Sequence, residues 1–258
     1  MKLYSKIHGD KGQDLIVIHG LFGMSDNWNT IAKKLSPFFE VHLIDLRNHG
    51  RSFHSDHFNY DHLTEDLSKY IIHNSLDDPI LLGHSLGGKI AMNYCFLNKN
   101  IVKQLIVVDI APKIYSVKSH AELLENLLSL ELLKYKSRSE LDQALSLKIA
   151  DDSTRLFLMK NLYRDEEKNF AWRFNIKVLK DEIYAIQNAD FVDGVIDTPS
   201  LFISGENSNY INNQDFSLIR KHFSKVIFKE IERAGHWVHA ENQEMFVKSV
   251  TDFLQIND

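Results

Sequence analysis

Short apolar runs, nearly uninterrupted, recur along the chain. They are Leu15 to Ile18, Val41 to Ile44, Ile80 to Leu82, Leu105 to Val108, Leu201 to Ile203 and Val226 to Phe228. Runs of this length without polar alternation predict strands covered on both faces. Between them the period changes. Leu63, Leu67 and Ile71 recur every four residues after Tyr60, and Ile90, Ala91 and Tyr94 follow Gly87-Gly88. Phe246, Val250, Phe253 and Leu254 form a last apolar face. These spacings predict helices. Strands alternating with helices predict an α/β fold with a mostly parallel central sheet flanked by helices.

The alternation stops between Pro112 and Asp197. That stretch carries Leu-rich helical patterns such as Leu123, Leu124, Leu127 and Leu128, and no clear strand after Ile110. No glycine occurs between Gly88 and Gly194. About 80 residues is too long for one strand-to-strand crossover. The expected organisation is therefore a core of residues 1–112 and 191–258, interrupted by a helical cap insertion over 113–190.

Composition narrows the class. The chain has 258 residues, 44% hydrophobic and 25% charged, which is the balance of a globular protein and excludes disordered, collagen-like and coiled-coil classes. With 30 Lys and Arg against 35 Asp and Glu, the net charge is −5. A surface that neutralises phosphates would be more basic, so no nucleic-acid partner is expected. The single cysteine, Cys95, excludes an internal disulfide and a cysteine-based zinc site. The first residues contain no apolar h-region, and no run approaches the ~18 residues of a membrane span. A cytoplasmic location is expected, with no membrane span.

The chemistry centres on Gly83-His84-Ser85-Leu86-Gly87, which follows the run at Ile80 and precedes a predicted helix. Strand, G-x-S-x-G and helix together predict a sharp turn that exposes a nucleophilic Ser85. Gly83 and Gly87 remove side chains that would collide across that turn. The new helix directs its N-terminal N–H groups towards developing negative charge.

A serine hydroxyl needs a base. Among 13 histidines, His236 lies in Ala234-Gly235-His236-Trp237, after the last predicted strand and therefore at the carboxyl edge of the sheet, where Ser85 also lies. His239, three residues on, is the alternative. The base in turn needs a carboxylate. Asp109 closes the run Leu105 to Val108 at the same edge, and an acid ending an apolar run is costly to bury without a partner. Asp109 is favoured. Glu206, in Gly205-Glu206-Asn207-Ser208-Asn209-Tyr210, is the alternative. After an early strand, Ile18-His19-Gly20-Leu21-Phe22-Gly23 predicts an oxyanion loop. Its donors are the N–H of Leu21, or of Phe22, and that of Leu86. His19 is expected to brace the loop.

These pieces together resemble the α/β-hydrolase superfamily, and most closely its YbfF-type bacterial esterases and their mitochondrial relatives. The matching segments are His19 to Gly23 with Asn27-Trp28, Asp45 to Ser52, Gly83 to Gly88, Val108 to Pro112, Trp172 to Asn175, and Gly205 to Tyr210. In many α/β-hydrolases the acid follows the strand at Leu201, where this chain has Ser208. The resemblance implies Ser85, Asp109 and His236 as the triad, with Ser208 as an auxiliary polar group near His236. It also implies hydrolysis of short-chain carboxylic esters, and raises acyl-CoA thioesters as substrates.

Phe22, Trp172, Phe174 and Trp237 are the candidate pocket residues, since the insertion must sit over the strand ends. Arg47 and Arg51 are candidates for an anionic substrate group such as CoA phosphates, against the plainer expectation of loop salt bridges. His49, His54, His57 and Asp56 cluster in a polar loop without a recognised metal-binding spacing, so no metal is expected. No organic cofactor is expected either. Cys95, on the helix after Ser85, is expected to be buried and inert. The reading is a serine esterase acting on a small ester or thioester. A carbon–carbon bond hydrolase or lyase would use the same triad, and a ligand receptor of hydrolase fold could retain it.

Overall fold

The computed structural model describes residues 1–116, 118–188 and 194–255. In chain order the first half contains β1 (Ser5–His8), β2 (Gln13–Ile18), α1 (Asn29–Leu35), β3 (Phe39–Ile44), α2 (Tyr60–His73), β4 (Ile80–His84), α3 (Leu86–Leu97) and β5 (Gln104–Val108). Then come α4 (Lys118–Leu128), α5 (Arg138–Ser146), α6 (Asp152–Met159), β6 (Leu162–Arg164), β7 (Phe170–Trp172) and α7 (Ile176–Asn188). The chain returns with β8 (Ser200–Gly205), α8 (Asp215–His222), β9 (Val226–Ile231), α9 (Val238–Glu241) and α10 (Gln243–Phe253).

Each of the six apolar runs lies in a strand of one seven-stranded sheet, ordered β1-β3-β2-β4-β5-β8-β9. β2, β3, β4, β5, β8 and β9 pair in parallel. β1 is antiparallel on β3. The side chains alternate, so each strand feeds two cores. Ile16, Ile18, Leu81, Leu105, Val107 and Phe202 enter one of them, together with Leu63, Leu67 and Ile71 of α2 and Ile90 of α3. Leu15, Val17, Leu82, Ile106, Val108 and Ile203 enter the other, with Ile31 and Leu35 of α1 and Phe246 and Val250 of α10. This double burial is why the strands lack polar alternation.

The helices start where local chemistry directs. Asn59, Ser137, Asp151 and Asn242 each accept an N–H from the first turn of α2, α5, α6 and α10. Such caps satisfy donors that the helix itself leaves unpaired.

Between β5 and β8 the Leu-rich stretch forms α4 to α7. Leu124 and Leu127 of α4 are buried with Leu179, Ile183 and Ile186 of α7. The boundary expected at 190/191 lies outside the described residues. The expectation of helices alone in this stretch is corrected by a hairpin: β6 pairs with β7 through Leu162↔Trp172, Tyr163↔Ala171 and Arg164↔Phe170. Its strands have three residues each. That is too short for a period of two to register, and the pairing is set by a tight turn closed by Asp165 and Asn169. No described helix is long and apolar enough to cross a membrane.

Candidate active site

Because the inner strands are parallel, the loops after β2, β4, β5 and β9 all open on the carboxyl edge of the sheet. β4 lies between β2 and β5, which places the three segments carrying Leu21, Ser85 and Asp109 side by side. His236 arrives from β9, two strands beyond β5.

Ser85 sits between β4 and α3 with φ 52° and ψ −118°. A non-glycine residue in this region is strained and persists only where its surroundings hold it. Here Ser85 N–H donates to Val108 O at 2.9 Å, and Lys89 N–H returns to Ser85 O at 3.1 Å. The glycines of the motif are required by contact. A Cβ on Gly83 would lie 2.3 Å from Gly87 O, and one on Gly87 would lie 2.2 Å from Ile18 O. Asp109 and Phe22 are also left-handed, at φ 52° and 61°. Strain therefore collects on three residues of one edge.

Asp109 is fully buried. Its Oδ2 accepts His236 Nδ1–H at 2.7 Å and the hydroxyl of Ser208, and Gly205 N–H approaches Oδ1 at 3.4 Å. Ser208 therefore touches the acid directly, and its Oγ also accepts Tyr210 N–H. Glu206, the alternative acid, instead accepts Arg233 N–H on the surface. His236 is stacked on Tyr210, with centroids 3.9 Å apart. Burial holds the His236 imidazole below its ordinary value, aided by His120. Burial pushes the Asp109 carboxyl up, opposed by the Ser208 hydrogen bond.

His239 is buried against Trp28, centroids 3.8 Å apart and nearly parallel. It packs rather than meeting a carboxylate. His84 was not singled out from sequence, yet it carries much of the local order. Its Nε2–H donates to the His236 carbonyl at 2.9 Å, and its ring lies 4.6 Å from that of His236. The residue before Ser85 thus ties the loop of His236 to the nucleophile turn.

The oxyanion loop has its own bracing. His19 Nε2 accepts Leu46 N–H at 3.0 Å, and its Nδ1–H faces Gly20 O at 2.8 Å. His49 Nδ1–H donates to Arg47 O, leaving Nε2 to accept Phe22 N–H at 3.2 Å. Burial drives both rings down, to about 4 for His19 and about 3 for His49, so each stays a neutral acceptor. Phe22 N–H is therefore engaged. Leu21 N–H has no acceptor among the described residues. Leu86 N–H, in the first turn of α3, has none within its helix. Asn161 Nδ2 donates to Phe22 O at 2.7 Å, which ties the helical insertion to the loop.

A cavity beside Ser85 is lined by Leu21, Leu86, Lys89, Tyr115, His120 and Gln187, among others. Phe22 packs on Phe174, and Phe174 stacks on Trp172. Trp237 stacks on Phe157, centroids 3.9 Å apart, and borders a second cleft with Lys160 and His239. Arg47 is buried in a two-pronged contact with Asp66, at 2.6 and 2.8 Å. Arg51 pairs with Asp26 at 2.8 Å. Both arginines thus follow the salt-bridge reading. His49, His54, His57 and Asp56 do not converge: His49 is committed to Phe22, and His57 stacks on His62. Among the described residues, one group could hold a metal ion, Asp14, Glu40 and His42, at the opposite end of the sheet. Cys95 is buried, and burial raises its thiol above the ordinary range.

Three functional features escaped the sequence reading: His84, His49 and the polar cavity lining. His84 is the variable position of a recognised motif, and its partner is 152 residues away in sequence. Lys89 did leave a signal, as a lysine within an otherwise apolar turn, Ile90-Ala91-Met92 following it.

Comparison with known proteins supports the fold. Residues 15–243 match the family model described as the alpha/beta hydrolase fold. The chain is 33% identical over 256 residues to an sn-1-specific diacylglycerol lipase, ABHD11, of Danio rerio, covering 93% of this chain and 78% of that protein. It is 30% identical over 240 residues to esterase YbfF of Escherichia coli, covering 93% and 92%. A solved marine microorganism esterase superposes with a TM-score of 0.94 at 37% identity, covering 98% of this chain and 99% of the other.

Proposed function

Because this chain belongs to the alpha/beta hydrolase fold family, we propose that it is a serine esterase for short-chain carboxylic esters, with Ser85 as nucleophile, His236 as base and Asp109 as acid. The observation that carries this reading is the buried Asp109 carboxylate, 2.7 Å from His236 Nδ1, on the sheet edge that also presents the strained Ser85. The relatives named as esterase and diacylglycerol lipase support ester hydrolysis.

In the proposed cycle Ser85 Oγ attacks the ester carbonyl while His236 Nε2 takes its proton. Asp109 holds His236 in the Nδ1–H tautomer and stabilises the imidazolium that forms. The N–H groups of Leu21 and Leu86 receive the oxyanion, with the N-terminal end of α3 adding a favourable dipole. The neutral His49 supports this assignment by engaging Phe22 N–H instead. His236 then protonates the departing alcohol, and water clears the acyl-enzyme by the reverse path. Oxygen esters are favoured over acyl-CoA thioesters, since Arg47 and Arg51 already have carboxylate partners.

The test is Ser85→Ala measured on p-nitrophenyl acetate, with labelling by an active-serine probe. Turnover falls about 10⁴- to 10⁶-fold, since triad members act as a unit. Wild type is labelled at Ser85 and the variant is not. Labelling of another serine, or retained turnover, overturns the proposal.

A further inference from the structure

We propose that Lys89 receives a carboxylate on the acyl part of the substrate, so that the preferred esters are half-esters of short dicarboxylic acids. This rests on the serine esterase reading and adds the substrate class to it.

The first observation is an uncompensated cation. α3 is buried from Leu86 to Cys95, and Lys89 within it is only 7% exposed. Charged residues buried this deeply are as a rule paired. No carboxylate lies within ion-pair distance of Lys89 among the described residues. Its ammonium instead lies over the rings of Tyr60 and Tyr115, at 5.9 and 5.2 Å. A ring face attracts a cation but brings no counter-charge. The buried carboxylates Asp215, Asp66 and Asp109 are committed elsewhere, to Lys113, to Arg47, and to His236 and Ser208. Burial pulls the Lys89 ammonium down to about 8, so it keeps its charge at neutral pH.

The second observation is an orphaned amide. Gln187 Oε1 is buried without a partner, while Gln187 Nε2 lies 2.7 Å from His120 Nδ1. Turned end for end, the amide accepts His120 Nδ1–H and offers its own N–H groups to the cavity. Lys89 and Gln187 line the same space as Ser85. That cavity measures about 40 Å³, room for about three water molecules or for a carboxylate on a short stem.

Position decides which half of the ester carries the charge. Lys89 lies in the first turn of α3, which starts directly after Ser85, and both residues line the same cavity. His236, which must protonate the alcohol, lies on the far side of two stacked rings: Tyr210 covers His236, and Tyr115 covers Tyr210 at 5.4 Å. A group held at Lys89 is therefore the one that stays bonded to Ser85 when the alcohol leaves. Ser85 Oγ bonds to the carbonyl carbon, the C–O bond to the alcohol breaks, and the alcohol departs with the His236 proton. Water then splits the acyl-enzyme into dicarboxylate and free Ser85, without change of oxidation state.

The experiment measures kcat/KM of the full chain on monoethyl succinate and glutarate. The controls are their neutral isosteres ethyl succinamate and ethyl glutaramate, ethyl butyrate, and the butyrate ester of glycolate, whose carboxylate is on the alcohol. Wild type prefers the half-esters over the amides by about tenfold to a hundredfold, the range of a hydrogen bond to a charged group. Lys89→Met brings that ratio close to one, and Lys89→Arg restores most of it. A wild-type ratio near one overturns the proposal before any variant is made, so a variant that fails to fold does not protect it. A ratio that survives Lys89→Met also overturns it. A larger advantage for the glycolate ester moves the carboxylate to the alcohol side and overturns the acyl assignment. Turnover of ethyl butyrate without half-ester preference removes only the Lys89 role. No turnover of any ester, with Ser85 unlabelled by the active-serine probe, removes the esterase reading itself.

Discussion

Replacing Asp109 by Asn is the sharpest test of the proposed acid. The Asp109 carboxylate is surrounded by donors: His236 Nδ1–H and the Ser208 hydroxyl at Oδ2, and Gly205 N–H near Oδ1. An amide has one oxygen and one donor group to offer. With the oxygen facing His236, its NH₂ meets Gly205 N–H, donor against donor. With the NH₂ facing His236 and Ser208, the hydroxyl can turn to accept, but His236 Nδ1 must become an acceptor. The proton then moves to Nε2, where the base should have its lone pair. The second arrangement satisfies every group, so the variant selects the wrong tautomer. It also loses the anion that opposes the developing imidazolium. The expected cost is about 10⁴ in kcat, or about 5.5 kcal/mol in the barrier.

Two companion variants separate charge from structure. Ser208→Ala removes a hydrogen bond to the carboxylate but leaves its charge, so the cost is about tenfold to a hundredfold. Glu206→Gln changes an exposed carboxylate that accepts Arg233 N–H, and kcat/KM stays within about twofold. All three are assayed on one short ester at one pH, with folding followed by circular dichroism. A folded Asp109→Asn that retains a tenth of its activity refutes the tautomer argument. A crippled Glu206→Gln places the acid after β8 instead.

The acid limb of kcat/KM lies below pH 6.5, because burial lowers His236 and the pair takes up its first proton only below that value whichever residue holds it; a limb above pH 7 contradicts this. Ser208→Ala moves the same limb to higher pH, since the hydroxyl holds the Asp109 carboxyl down, and an unmoved limb detaches Ser208 from the titration. Gly87→Ala drives a methyl into Ile18 O and costs several kcal/mol in stability or displaces the oxyanion loop, read by denaturant melts and by ester turnover. Half-ester preference fades as pH rises through about 8, where Lys89 loses its proton. The groups facing Lys89 are Tyr60 at the start of α2, Tyr115 after β5, and His120 of α4, whose imidazole burial holds below its ordinary value. A preference constant to pH 10 assigns it to an uncharged group.

The sheet was legible because burial on both faces writes itself as unbroken apolar runs. β1 was not, since Ser5-Lys6-Ile7-His8 has one aliphatic residue and that residue faces solvent at 48% exposure. It joins the edge through backbone pairing with β3, which leaves no trace in side-chain pattern. The placement of Ser85 and Asp109 was legible because each ends such a run with a residue that the run does not explain. His236 was legible only from the loop before the last helix, among 13 histidines. The bracing by His84 and His49 was hidden, because each partner is a backbone atom supplied by a distant loop. Ser208 was expected near His236, and the structure joins it to Asp109. The lining contributed by the insertion was hidden for the same reason. Tyr115 meets Tyr210 through a hydrogen bond spanning 95 residues.

The neutral state of the buried histidines bears on why one carboxylate suffices for the proposed chemistry. Burial lowers His19, His49, His84, His236 and His239 below the ordinary 6.5. At neutral pH these five rings carry no charge, and among the described residues Asp109 faces His236 as the one anion in direct contact with it. Proton transfer from Ser85 then creates a cation at His236 with an anion already 2.7 Å away. A protonated His84, its ring 4.6 Å from that of His236, would oppose this cation by about 3–4 kcal/mol at an effective dielectric of ~20. That would cancel most of what Asp109 supplies. His84 stays neutral because burial disfavours its charged form, an effect that outweighs the hydrogen bond to the His236 carbonyl, which by itself favours the proton. The residue beside the nucleophile thus orders the base through a hydrogen bond while adding no charge against it. An exposed histidine at the same position would gain its charge as pH falls through about 6.5, whereas burial keeps His84 neutral well below that.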